Sequence, residues 1–184
     1  MSTPEDRRFE RTGGEVLYDG RIVHLVEDTF RFADGNEVRR EIVRTTGAVG
    51  VLVHDGTDLW LTRQPREAIG EPDSLEIPAG RLDKPGEDPV DCARRELTEE
   101  IGHAADSWQP MTTYNPSVGI LDETVHLFAA WDLRTEWNDS GEDERIEVVR
   151  WPLDDLDGAI AATTDGKTKI ALLWAKAYGV PGRS

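Results

Sequence analysis

The densest chemistry in the chain lies between Gly80 and Gly102, where Glu87, Glu96, Glu99 and Glu100 stand close to Arg94 and Arg95. A helix turns by about 100° per residue, so Glu96, Glu99 and Glu100 share one face, with Cys92 one turn earlier on that side. Ala93, Leu97 and Ile101 form a separate apolar stripe suited to a core. Carboxylates held side by side on a helix repel by roughly a few tenths of a kcal/mol per pair in water. The cost rises where a cleft lowers the dielectric. A divalent cation turns that repulsion into binding. Oxygen-only ligation suits Mg²⁺ or Mn²⁺, with water and phosphate oxygens completing an octahedron, and the sequence has no His/Cys cluster of the kind zinc takes. The ordinary alternative is a solvated acidic face, on which Arg95 pairs with Glu99 and Arg94 with Asp91.

Positioning these groups falls to a helix predicted over residues 88–101. Asp88 can cap it, Pro89 sits where a first-turn proline is tolerated, and Gly102 stops it. Ahead of it a long loop is expected over residues 64–86, marked by Pro65, Pro72, Pro78 and Pro85. Loops of that length inside a domain usually carry function. The first third reads as β structure. Residues 15–18 and 21–32 are rich in β-branched and aromatic types and are separated by the turn signal Asp19-Gly20; Asp34-Gly35-Asn36 then leads into a strand over 37–45. Residues 47–54 are apolar enough for a buried strand, which Asp55-Gly56 turns into a strand over 58–63. Further strands are predicted at 123–131 and 145–151, and helices near 153–162 and 167–178. The mixture predicts an α/β fold with a sheet between helices. Residues 1–14 are polar and weakly patterned and are expected to form a loose, flexible tail. An N-terminal β unit over 15–45 and a main domain over 46–180 follow.

Composition narrows the function. At 184 residues the chain suits one domain with a small appendage, and its formal net charge is -16. The sequence has no basic stripe of the kind a nucleic-acid surface needs, so no nucleic-acid partner is expected. The field of such a chain repels polyanions and attracts divalent cations, so a diphosphate would need metal and local arginines to reverse the sign inside a cleft. Solubility is an equally good reason for the acidity. No apolar run approaches the roughly 18 residues that cross a bilayer, and no secretory h-region is visible, so no membrane partner is expected. The single cysteine, Cys92, excludes an intrachain disulfide framework, and a cytoplasmic location is expected.

The order of these residues (a glycine, an upstream glutamate, Arg-Glu-hydrophobe, two glutamates and a closing glycine) resembles the Nudix box. From Glu87 through Gly102 the spacing matches in full; six residues rather than five separate Gly80 from Glu87, and His103 stands where an aliphatic residue is usual. The resemblance implies an α/β/α sandwich around a mixed sheet. It also implies Glu96 and Glu100 as principal metal ligands, Glu99 as a further one, Glu87 nearby and the carbonyl of Ala79 completing the set. Arg95 would orient the carboxylates by charge-assisted hydrogen bonds. Arg63-Gln64-Pro65-Arg66, Glu76-Ile77-Pro78-Ala79-Gly80, Asn115 to Gly119 with Leu121-Asp122-Glu123, and Asp165 to Lys169 further resemble the ADP-ribose pyrophosphatases of that family.

That subfamily implies hydrolysis of ADP-ribose, a small-molecule nucleotide diphosphate, to AMP and ribose 5-phosphate. Arg66 is then the first choice for a diphosphate contact and Arg63 the second. Glu123 would hold the terminal ribose. A base is expected from a late acidic loop, with Glu144 first and Glu142 as the alternative. Related enzymes form homodimers whose N-terminal β unit reaches over the partner's cleft, where Phe30 or Phe32 would stack on adenine and Arg40 or Glu41 would reach its edge. Each of these residues has an ordinary role as well: surface ion pairs for the arginines, hairpin positions for the aromatics. Among the six tryptophans, Trp137 precedes the acidic loop. Two alternatives stay open: an NDP-sugar or dinucleoside polyphosphate hydrolase, and a non-catalytic Nudix-fold nucleotide sensor.

Overall fold

The computed structural model describes residues 5–136 and 145–183. The chain divides into two compact units, one of Met1–Gly47 with Asn115–Thr124, the other of Ala48–Tyr114 with Val125–Ser184.

The smaller unit is an antiparallel sheet of β1 (Phe9–Asp19), β2 (His24–Phe32) and β3 (Glu37–Arg44) in the order β1-β2-β3. The strand expected to begin at residue 15 begins at Phe9, which pairs with Phe32. Residues 9–14, expected in the tail, are therefore strand. Glycines and charges in Arg11 to Gly14 weaken the β signal there, and the ladder has an irregularity between Arg11 and Gly13. The segment 115–124 belongs to this unit through backbone bonds: Val43 N–H donates to Ile120 O (2.8 Å) and Asp122 N–H to Val43 O (3.1 Å). Asp122 also accepts from Thr45 N–H at 2.9 Å.

The larger unit holds a mixed sheet of seven strands. Its path is β10 (Glu147–Pro152), β5 (Asp58–Arg66), β4 (Ala48–His54), β9 (Val125–Thr135) and β8 (His103–Tyr114). Two further strands lie off this path, β6 (Glu71–Glu76) on β5 and β7 (Ala79–Arg81) on β4. The β4–β9 pair is parallel and its neighbours are antiparallel. Helix α1 (Pro89–Ile101) covers one face. Helices α2 (Leu156–Ala162) and α3 (Gly166–Tyr178) belong to the other.

Side chains alternate across a strand, and β4 uses both sides. Val49, Val51 and Val53 pack with Cys92, Ala93, Leu97 and Ile101 of α1. Leu52 packs with Leu127, Ala171 and Leu172 in a second cluster. That two-sided burial is why residues 47–54 read as a continuous apolar run. The α/β/α sandwich expected from the sequence is the fold observed. The segment 64–86 departs from expectation. Besides a 3-10 turn at Glu67–Ile69 it contains the end of β5 and all of β6 and β7, so about half of it is sheet. No helix among the described residues is long and apolar enough to cross a membrane.

Candidate functional site

Helix α1 has the termini its sequence calls for. The Asp88 side chain accepts from Val90 N–H at 3.0 Å. At the other end Gly102 adopts φ 67° and returns its N–H to Thr98 O at 3.2 Å, a conformation that glycine adopts without a Cβ penalty. With Ala93, Leu97 and Ile101 buried against β4, the opposite face is fixed, and Arg95 stands in its middle.

The Arg95 guanidinium donates to both oxygens of Glu87, each at 3.1 Å. Its Nη1 donates to Glu96 Oε1 at 2.6 Å and to Glu99 Oε2 at 3.0 Å. All four side chains are between 13% and 16% exposed, so water screens them weakly. The fork from Arg95 holds the Glu87 carboxyl below the usual carboxylate range, and Glu87 in turn raises the guanidinium. Glu100 is buried on the same helix, where its Oε2 accepts the Ala79 N–H at 3.1 Å. Burial pushes the Cys92 thiol up to about 12, so it stays protonated and inert.

Gly80 lies directly against the carboxylate group. A Cβ at this position would lie 1.9 Å from Glu96 Cδ. The backbone of β7 therefore meets the carboxylate directly, and only glycine permits that approach.

A divalent metal is the group this arrangement fits. Glu87, Glu96, Glu99 and Glu100 bring four carboxylates to one helix face and its approach, against the single guanidinium of Arg95. The donors are all oxygen, the preference of hard cations. Among the described residues no three His, Cys, Asp or Glu side chains are gathered into a ready-made cage. The guanidinium stands between the carboxylates and ties them to itself. An ion among these carboxylates would compete with Arg95 for Glu87, Glu96 and Glu99.

A second charged group lies in the same unit. Glu76, at the end of β6, is 1% exposed. Arg66 forks onto it, Nε to Oε1 and Nη2 to Oε2, each at 2.6 Å. Lys167, in the first turn of α3, donates to Glu76 Oε2 as well. Burial opposes the charge on Glu76, but the two cations outweigh it and bring the carboxyl down to about 2. Arg66 is raised chiefly by Glu76, with smaller contributions from Asp165 and from Glu100 of α1. Glu76, Asp165 and Lys167 stand within the sequence motifs above but have no role assigned by them. A charged residue leading into Ile77-Pro78-Ala79, ten residues after Arg66, is the signal that could have singled Glu76 out.

The other expected residues are dispersed. Arg63 is taken by Asp73, whose Oδ2 lies at 2.7 Å. Glu123, Phe30, Phe32, Arg40 and Glu41 belong to the smaller unit. There the Glu123 carbonyl accepts from Asn115 at 2.7 Å, and Phe30 meets Phe9 edge-on with ring centres 5.5 Å apart. Arg40 Nη1 donates to Arg39 O at 2.8 Å, and Glu41 is exposed opposite Glu27. Glu142, Glu144 and Trp137 lie outside the described residues.

With this geometry in view, comparison with known proteins is decisive. The NUDIX domain model matches residues 44–173. The chain belongs to the Nudix family. Its relatives include two that are similar over most of its length. One is an ADP-ribose pyrophosphatase of Bacillus subtilis (strain 168), 38% identical over 86% of this chain and 87% of the relative. The other is a methanol dehydrogenase activator of Bacillus methanolicus, 36% identical over the same shares. A solved structure described as an ADP compounds hydrolase matches the fold with a TM-score of 0.80, at 23% identity over 94% of both chains. The chain is thus a Nudix pyrophosphohydrolase, and Nudix hydrolases generally need a divalent metal.

Proposed function

We propose that this Nudix hydrolase cleaves the diphosphate of ADP-ribose with water to give AMP and ribose 5-phosphate, using Mg²⁺ or Mn²⁺. The observation that carries this reading is the group of Glu87, Glu96 and Glu99 on Arg95, walled by Gly80, with Glu100 on the adjoining Ala79 amide. The relative from Bacillus subtilis supplies the substrate class.

Glu96, Glu99 and Glu100 would hold the metal, with Glu87 beside them and the Ala79 carbonyl available from β7. A bound divalent ion would supply charge neutralisation for the diphosphate and for the leaving phosphate. Arg95 orients three of the carboxylates by its fan of hydrogen bonds. Arg66 would bind a diphosphate oxygen through Nη1, since its fork on Glu76 uses Nε and Nη2; Arg63 is the second candidate. Most of the rate enhancement would come from charge stabilisation and positioning. Glu144, or Glu142, would take the proton from the attacking water. Glu123 would hold the terminal ribose. A cytoplasmic homodimer is the expected form, with Phe30 or Phe32 stacking on adenine and Arg40 or Glu41 at its edge.

The test is a panel of ADP-ribose, NDP-sugars and dinucleoside polyphosphates, each with and without Mg²⁺ or Mn²⁺, with products identified. ADP-ribose should give the highest kcat/KM, metal should be required, and AMP should appear with ribose 5-phosphate. Preference for an NDP-sugar would transfer the reading to that substrate. Nucleotide binding without turnover would make the chain a sensor.

A further inference from the structure

The first turn of α3 lies against the segment that leads to Ala79 and Gly80, and its polar side chains are spent on that segment. Thr168 is completely buried. Its hydroxyl donates to Asp165, the cap of α3, at 2.6 Å and accepts the Ile77 N–H at 2.8 Å. Lys167, 16% exposed, donates to Glu76 and forms an ion pair with Asp165 at 3.2 Å. One side of residues 76–79 is thus held by α3, while the Ala79 N–H is held by Glu100 of α1. The Glu76 carboxylate has a fixed set of partners: Arg66 Nε on Oε1, and Arg66 Nη2 with Lys167 Nζ on Oε2.

A carboxylate with two partners fixes both. With Lys167 absent, Glu76 keeps only the Arg66 fork, and the side chains are released from the α3 anchor to swing together. Lys167 is itself surrounded by Glu76 and Asp165 and is largely buried, which suits a bracing part better than a phosphate contact. Arg66 is 42% exposed, so it has room for a ligand.

We propose that Lys167 is a positioning residue for the diphosphate: by sharing the Glu76 carboxylate it sets the place of the Arg66 guanidinium. This rests on the assignment of Arg66 as a diphosphate contact. The interaction affected is binding of the substrate phosphates, so the loss should fall on KM.

The experiment is a double-mutant cycle on the full chain with saturating Mg²⁺ and ADP-ribose, using Lys167→Met, Arg66→Lys and the pair. Arg66→Lys keeps a cation beside Glu76 and removes the fork, so the buried carboxylate is not stranded. Lys167→Met should raise KM about tenfold with kcat changed less than about twofold, the size expected for a displaced charge-assisted hydrogen bond. In the Arg66→Lys background the same substitution should change KM by less than about twofold, because the contact it aligns is already gone. Lys167→Arg, which keeps the charge at Glu76, should recover at least half of the KM loss, and urea midpoints for all variants separate unfolding from misalignment. An equal KM penalty in both backgrounds, or a loss confined to kcat, would overturn the positioning role while leaving Arg66 as a contact. An unchanged KM in Arg66→Lys would instead remove the diphosphate assignment, and the bracing role with it.

Discussion

Arg95 sets the electrostatics of the carboxylate group residue by residue. It hydrogen-bonds three carboxylates and stands 3.6 Å from a fourth, Asp83, while Glu100 accepts from a backbone amide. Glu100→Gln keeps the size of the side chain and a hydrogen-bonding oxygen for Ala79, but removes the charge a cation would use. We expect kcat with ADP-ribose and Mg²⁺ to fall by about two orders of magnitude or more, with unchanged circular dichroism. Equal rates for variant and wild type would remove the metal-site assignment. Glu76 makes a different prediction. Its carboxyl is lowered from 4.5 to about 2 in the folded chain. A depressed carboxyl contributes stability that is complete above its unfolded value and disappears as pH falls through the folded one. Between about pH 5 and pH 2 wild type should therefore lose stability more steeply than Glu76→Gln, measured as urea midpoint against pH. The variant should be the less stable of the two at neutral pH, because Arg66 and Lys167 lose the charge they share.

At the level of elements, two substitutions near α1 separate stability from function. Asp88→Ala removes a cap outside the carboxylate group and should cost about 1 kcal/mol of stability with kcat/KM nearly intact. Gly80→Ala places a methyl into the Glu96 carboxylate, so metal-dependent turnover should fall by about tenfold or more even in a folded protein. Activity assays beside thermal melts distinguish the two. Helix α1 is legible in the sequence because its cap, proline, apolar stripe and closing glycine all agree. The strands around it are less so. Pro72 lies in β6 and Pro110 in β8, and proline argues against a strand. Both strands have a single partner in the sheet, where a missing N–H can face outward, and only the assembled sheet reveals that position. Pro65 falls at an irregularity of the β5–β6 ladder, between Gln64 and Arg66. The carboxylate face could be read from spacing alone. The Glu76–Lys167 pair could not, since its members are 91 residues apart and meet only once β6 packs beside α3.

For the whole molecule, the formal net charge of -16 and the carboxylate group on α1 act in the same direction on cations. A cation that binds the folded chain and not the unfolded one raises its melting temperature. Mg²⁺ at about a hundred times its Kd should raise Tm by several degrees, following the logarithm of concentration. Added KCl should reduce the gain by screening. The gain should be small in a Glu96→Gln, Glu100→Gln double variant, and a full shift there would mean that the ion binds elsewhere.

Cys92 lies at 0% exposure beneath the carboxylate face, among Val49, Val51, Leu97 and Phe128. It is also the only thiol in the chain. A thiol reagent can reach it only when α1 lifts from the sheet, so the labelling rate is a clock for that opening. Any ligand that clamps the helix down should slow the clock, even one that is never hydrolysed.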